Sequence, residues 1–287
     1  MSYDAGRWLF LAALWSVQYL FLRIAVPVFG TAVAAEARAL FAALFLVPWV
    51  LYAARQPIYP LQRWRDHLAV GLVNNVLPFA CMAWAALTLP AGYLAVINGM
   101  VPLWAAVFSA IFLRERLGVP QAAGFVLGIA GVALLVNLGP VELNVKTVAA
   151  ACAAMAGAAF WGWAGVIIRQ RSGNQPPMGL AAGSVAWAAV LMSPAWVDAP
   201  PLQAWTLQAT AALVAGGVLC SGLAYLPFFT LIRDIGPTRT LSVGLLVPVL
   251  GVFWGWLLLG EAVTLAMLAG TAMVLAALGL VMRRARA

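Results

Sequence analysis

Three asparagines, Asn74, Asn75 and Asn98, stand inside apolar runs, a few residues ahead of Pro78 and Pro102. A proline within a helix has no N–H and leaves the carbonyl four residues back without its intrahelical partner. Those carbonyls belong to Asn74 and Asn98, and by the same rule to Gly244 before Pro248 and Leu223 before Pro227. Amides and open carbonyls in apolar surroundings can hold a small polar solute by hydrogen bonding. Covalent chemistry is not indicated. A nucleophile needs a base, and the sole histidine, His67, lies at the end of one run while Ser221 lies in the middle of another. Ser221, in LCSG, also lacks the first glycine of a GxSG motif. Phosphate-loop and zinc-ligand spacings are absent. The chain therefore reads as a non-enzyme that takes no cofactor and no metal.

The elements that must position these residues are membrane helices. Of 287 residues, 65% are hydrophobic and 8% charged, with a mean hydropathy of +1.00. Soluble domains carry about a quarter charged residues, and about 20 apolar residues in a row span a bilayer as a helix. The apolar runs predict ten spans, at 7–25, 31–52, 67–87, 92–113, 120–138, 147–168, 178–197, 207–231, 238–259 and 264–282. The alternation of a membrane β-barrel is missing. The net charge of +8 comes from residues flanking the apolar runs, which excludes a nucleic-acid patch. Cys81, Cys152 and Cys220 fall inside the runs and read as small packing residues, not disulfide partners.

The chain repeats itself. Pro102 matches Pro248, Glu115 matches Glu261 and Gly124 matches Gly270, at one interval: 248 − 102 = 261 − 115 = 270 − 124 = 146. Trp15 and Trp161, Arg23 and Arg169, Pro48 and Pro194, and Gly71 and Gly217 are spaced alike. This predicts two five-helix units, 1–140 and 141–287, within one membrane domain. Basic residues set the orientation. Arg7, Arg55, Arg63, Arg65, Arg114, Arg116, Arg169, Arg171, Arg233, Arg239, Arg283, Arg284 and Arg286 fall on the side of the N-terminus, and only Arg23 and Lys146 on the other. Both termini are expected in the cytoplasm. Five spans per unit is odd, so the second unit is inverted relative to the first. Inverted repeats place a solute site near the midplane, where helices are broken.

The expected cavity residues are Trp15, Gln18, Tyr19, Asn75, Pro78, Phe79, Asn98, Pro102, Trp161, Trp163, Tyr225, Ser242 and Pro248. The pair Trp15 and Trp161 is expected to face across the repeat axis. Glu36 and Arg38, inside the second span, are candidates for coupling or gating; residues two apart on a helix do not face each other. The cavity is thus expected to offer aromatics and amides without a fixed charge, and no carboxylate lies at the midplane of the kinked spans. Glu115 and Glu261 are expected to offset the dipole of the helix that follows each. Gly124, Gly128, Gly131, Ala266 and Gly270 make small-residue seams, within the chain or between two copies.

The phrases AGYLAVINGMVPLWAAVFSAIFLRERLGVPQ and IGPTRTLSVGLLVPVLGVFWGWLLLGE, with LWSVQYLFLRIAVP and Arg38, resemble the EamA-type branch of the drug/metabolite transporter superfamily. The resemblance covers nearly the whole chain. It implies export of small metabolites, as by the YddG-like amino acid exporters, through a central cavity lined by spans one, three, four, six, eight and nine. The expectation is an all-α polytopic inner-membrane protein, ten helices in two inverted repeats, exporting neutral or aromatic amino acids or related compounds. Its partners would be the lipid bilayer and a small-molecule solute, with no nucleic acid, as a monomer or weak homodimer. A channel or uncoupled facilitator is the main alternative, an intramembrane enzyme a remote one.

Overall fold

The computed structural model describes residues 2–58, 62–114, 118–138, 141–171, 175–197, 202–235 and 240–282. Among these the secondary structure is helical throughout, with no strand. The helices are α1 (Ser2–Pro48), α2 (Trp64–Gly71), α3 (Leu77–Ala85), α4 (Ala91–Asn98), α5 (Val101–Leu113), α6 (Val119–Leu138), α7 (Val145–Arg171), α8 (Pro177–Met192), α9 (Leu207–Gly217), α10 (Ala224–Ile235), α11 (Leu246–Leu259) and α12 (Leu265–Met282). Seven helical stretches among the described residues are long and apolar enough to cross a membrane, and 246–259 and 265–280 are shorter apolar helices. One of the seven, α1, is two helices joined at Gly30, whose φ of 79° and ψ of 169° suit only glycine. Counting its limbs separately gives the ten spans expected. The fold is an all-α polytopic membrane protein. Its outer faces carry exposed Leu44, Ile111, Val126 and Leu268, as a lipid-facing surface should.

Three helix breaks differ from simple proline kinks. Span three passes through a π turn, Leu72–Val76, between α2 and α3. Span eight does the same at Val218–Leu223, between α9 and α10. Each wide turn stands just ahead of its proline, Pro78 or Pro227, so the ladder is loosened before the missing N–H is reached. Span four stops outright at Asn98. Gly99 and Met100 donate to Val96 and Ile97 over 3.0 Å each, a tightened last turn, and α5 starts at Val101 with Pro102 in its first turn. Span nine is likewise interrupted: helical Thr240 and Leu241 run into the tight turn Ser242–Leu245, and α11 follows with Pro248 near its start. Pro102 and Pro248 therefore open new helices, where a missing N–H costs little.

The two broken spans cross at these points. A Cβ on Gly99 would stand 3.0 Å from Cγ of Pro248 and 2.7 Å from Val274, and a Cβ on Gly244 would stand 3.1 Å from Cγ of Pro102. Behind the crossing, α6 and α12 run antiparallel in close contact. Gly131 lies against Gly270, Met273 and Val274, and Leu135 lies against Gly270. The glycine seam is thus used within the chain.

Each end of the bundle has its own ties. Near the Gly30 bend, Leu202 N–H donates to the Val28 carbonyl over 2.8 Å. At this same end Glu261 accepts from the N–H groups of Ala91 at 2.8 Å and Gly92 at 3.1 Å. Glu261 therefore caps α4 in the other half of the chain, not the helix that follows it. The reason is local: Pro90, at the N-cap of α4, offers no side-chain acceptor. Glu115 and Arg116 lie outside the described residues. At the opposite end Arg7 meets Asp234 at 3.5 Å, and Arg171 pairs with Asp66.

Candidate functional site

Arg38 is the centre of the site. Its Nε donates to Ser221 Oγ over 2.8 Å and its Nη2 to Gln18 Oε1 over 2.5 Å. The guanidinium lies 4.0 Å from the centre of the Phe79 ring and 5.9 Å from that of Trp161. Both are cation–π distances. No carboxylate among the described residues lies within ion-pair distance of Arg38. Here the sequence expectation fails: the cavity does contain a fixed charge. The residue was in view, but its membrane depth and its direction depend on how α1 resumes after Gly30.

Two cavities meet at the Gln18–Arg38 pair. The larger encloses about 440 Å³, open mouth included, and is lined by Trp15, Asn74, Asn98, Val101, Trp161, Tyr225, Phe228 and Leu241 together with the pair. The smaller extends the other way, past Phe21, Leu22 and Ala25 on one limb of α1 and Ala34 on the other, towards the Gly30 bend. Asn98, only 7% exposed, lines the larger cavity along with Arg38, and its Oδ1 has no hydrogen-bond partner.

The cavity wall is held by reciprocal bonds. Trp161 Nε1 donates to the carbonyl of Asn74 over 3.0 Å, the carbonyl that Pro78 leaves open. Trp15 Nε1 donates to the carbonyl of Cys220 over 3.2 Å. Donors and acceptors obey the repeat interval, 161 − 15 = 220 − 74 = 146, and both acceptors sit in the π turns. Each tryptophan thus bonds the backbone of the other half. Tyr225 joins in: its hydroxyl donates to Asn75 Oδ1 over 2.6 Å and accepts from Asn74 Nδ2 over 3.1 Å.

Of the expected cavity residues, Trp15, Gln18, Asn98, Trp161 and Tyr225 form the lining, and Arg38 joins them. Asn75, Phe79, Pro78, Pro102 and Pro248 are buried behind it, Asn75 fixing Tyr225 and Phe79 lying under Arg38. Tyr19, 1% exposed, is packed in the core. Trp163 points elsewhere: its ring stacks on Phe112 with centroids 5.9 Å apart, on the far side of α5. A helix turns by about 100° per residue, so Trp161 and Trp163, two apart, cannot share a face. The side chain of Ser242 lies outside the described positions. Glu36 is 1% exposed, is engaged in interactions of its own, and lines neither cavity. The sequence reading passed over Val101, Phe228 and Leu241 as lining, since nothing in an apolar run marks one aliphatic or aromatic position over the next. Asn74 did carry a signal, its position four residues before Pro78.

The arrangement can bind. It offers a cation, an unpaired amide oxygen and aromatic walls, and it holds no nucleophile–base pair among the lining residues. Among the described residues no cluster of His, Cys, Asp or Glu could hold a metal.

Comparison with known proteins bears on the family and the fold. The chain is 26% identical over 287 residues to "Uncharacterized transporter YvbV" of Bacillus subtilis, covering 97% of this chain and 91% of that protein. It is 22% identical over 225 residues to an "Uncharacterized transporter" of Archaeoglobus fulgidus, covering 77% of this chain and 80% of that one. A solved crystal structure superposes with a TM-score of 0.67 at 20% identity, covering 98% of this chain and 97% of the other, which shows a shared fold. The EamA-like transporter family matches twice, over residues 7–137 and 148–283. With both halves of the sequence matched, the chain belongs to the EamA-like transporter family.

Proposed function

We propose that this membrane transporter exports small amphipathic metabolites across the inner membrane by alternating access, with neutral or aromatic amino acids or related compounds as the best candidates. The observation that carries the reading is the pair of cavities abutting at Gln18–Arg38, one extending towards each end of the bundle. A site reached in turn from two sides needs such a partition. The antiparallel contact of α6 with α12 and the crossed Trp15 and Trp161 bonds support two inverted halves that rock about this site. Neither cavity is lined by a carboxylate, so an uncoupled facilitator stands beside proton antiport. The charge bias supports a cytoplasmic position for the Arg7–Asp234 end and for both termini.

Purified protein in liposomes preloaded with unlabelled L-phenylalanine, L-leucine or 3-phenylpropanoate should show saturable uptake of the labelled compound, stimulated by the preload. Flux that rises linearly with concentration and ignores the preload would refute alternating access in favour of a channel. A cysteine replacing exposed Arg65 should react only from the cytoplasmic side of oriented vesicles; reaction from outside would overturn the orientation.

A further inference from the structure

We infer that the solute carries a carboxylate, which binds Arg38 by taking the place of Gln18. The inference rests on the transport reading for its location and goes beyond it in naming the chemistry recognised. A cation inside a membrane bundle is costly unless something neutralises it. The partners of Arg38 are all neutral: the Gln18 amide, the Ser221 hydroxyl and the Phe79 ring. A guanidinium has five N–H donors in a planar fork that matches a carboxylate in two parallel bonds. Here Ser221 occupies Nε and Gln18 occupies Nη2. Arg38 stays partly exposed and lines both cavities, so the fork is offered to a solute from either side.

Gln18 is the displaceable partner. Its amide oxygen is a neutral acceptor, and a carboxylate oxygen makes a bond about twice as strong. Displacing it would also break the contact that divides the two cavities. One event thus recognises the solute and opens the partition. Asn98 adds the second half of the recognition. Its unpartnered Oδ1, in the same cavity, accepts from a solute N–H such as the ammonium of an amino acid. The aromatic walls Trp15, Trp161 and Phe228 take the apolar body.

The test measures binding in detergent micelles, so it does not depend on transport. Matched acid–amide pairs serve as probes: L-phenylalanine and its amide, L-leucine and its amide, 3-phenylpropanoate and its amide. Thermal stabilisation of the purified protein is titrated with each. At least one acid should bind 10-fold or more tightly than its amide. Arg38→Gln should erase that preference, Arg38→Lys should retain part of it, and Gln18→Ala should strengthen acid binding several-fold by removing the competitor. The improvement in Gln18→Ala separates recognition from mere structural support, which the substitution could only weaken. Equal binding of acids and amides, a preference that survives Arg38→Gln, tighter binding of inorganic phosphate than of any acid, or no binding by any probe would overturn the inference. Transport that proves channel-like while the acid preference persists would refute the mechanism and leave the recognition standing.

Discussion

Replacing Glu261 with alanine should loosen the junction between the two halves of the chain without touching the cavity. The first N–H groups of a helix lack intrahelical acceptors, and at α4 the Glu261 carboxylate accepts from two of them, Ala91 and Gly92. Both donors are buried, while Glu261 itself is partly exposed. Hydrogen bonds to a charged group contribute about 1.5–3 kcal/mol each, and the α4 dipole adds up to about 1 kcal/mol. Water can reach part of the vacated site, which puts the expected loss for Glu261→Ala near the low end, about 2–3 kcal/mol. Glu261→Gln keeps an acceptor oxygen and loses the charge, so about 1 kcal/mol is expected. Gly255 supplies an internal control. A Cβ there would stand 2.5 Å from Glu261 Oε2, 3.2 Å from its carboxyl carbon and 3.6 Å from the Gly92 nitrogen. Gly255→Ala should therefore destabilise the wild type by pushing the carboxylate off α4, and should cost far less in the Glu261→Ala background. Equilibrium unfolding in mixed micelles with increasing SDS gives all four values. A Glu261→Ala protein as stable as wild type, or additive effects of the two substitutions, would refute the cap.

The crossed tryptophan bonds predict matching losses: Trp15→Phe and Trp161→Phe each leave a buried carbonyl, Cys220 or Asn74, without its donor, at about 1–3 kcal/mol. The same SDS titration should find the two losses alike, and a neutral result for one beside a large loss for the other would break the equivalence. At the α6–α12 seam, a Cβ on Gly131 would stand 2.9 Å from Cβ of Met273 and 3.0 Å from the Gly270 carbonyl oxygen, whereas Gly279 has nothing within 4 Å. Gly131→Leu should cost about 3 kcal/mol or more by overpacking and Gly279→Leu little; comparable melting temperatures for the two variants would contradict the seam.

The number of spans and the all-helical class were legible because they depend on composition and run length, which a chain displays locally. The broken helices were legible in part. Pro78 correctly marks the Asn74 carbonyl as the one in need of a donor, and that donor proves to be Trp161. Pro102 and Pro248 mark the right places but produce helix starts, because the glycines opposite them, Gly244 and Gly99, let the two spans approach closely enough to cross there. That is a tertiary fact with no local trace. The partner of Glu261 is equally non-local, 169 and 170 residues away in sequence. Arg38 shows the same limit. Its type and its place in an apolar run mark it as functional, but its chemistry depends on which neighbours face it. Ser221 and Gln18 come from elsewhere in the chain, and the absence of a carboxylate there is a property of the folded neighbourhood.

The ties at the two ends of the bundle are of different kinds, and the difference bears on how the cavity is reached. Near Gly30 they involve backbone groups: the N–H of exposed Leu202 on the carbonyl of buried Val28, and the two buried α4 N–H groups on Glu261. Breaking the α4 pair leaves buried donors without acceptors, which costs about 1–3 kcal/mol apiece where water is excluded. At the other end the described ties are ion pairs at the surface, Arg7 with Asp234 and Arg171 with Asp66. Exposed pairs contribute about 0–1 kcal/mol each and are weakened by salt. The larger cavity, with Trp15, Asn98 and Trp161, lies on the Leu241 and Phe228 side of the Gln18–Arg38 pair, towards these weaker ties. Among the described residues the two buried α4 ties on the Gly30 side are therefore the costlier ones to break, and the Gln18–Arg38 pair lines both the larger cavity and the one that extends towards that end. An anion that takes the Gln18 bond would act between the two limbs of α1, which carry Gln18 and Arg38 on either side of Gly30.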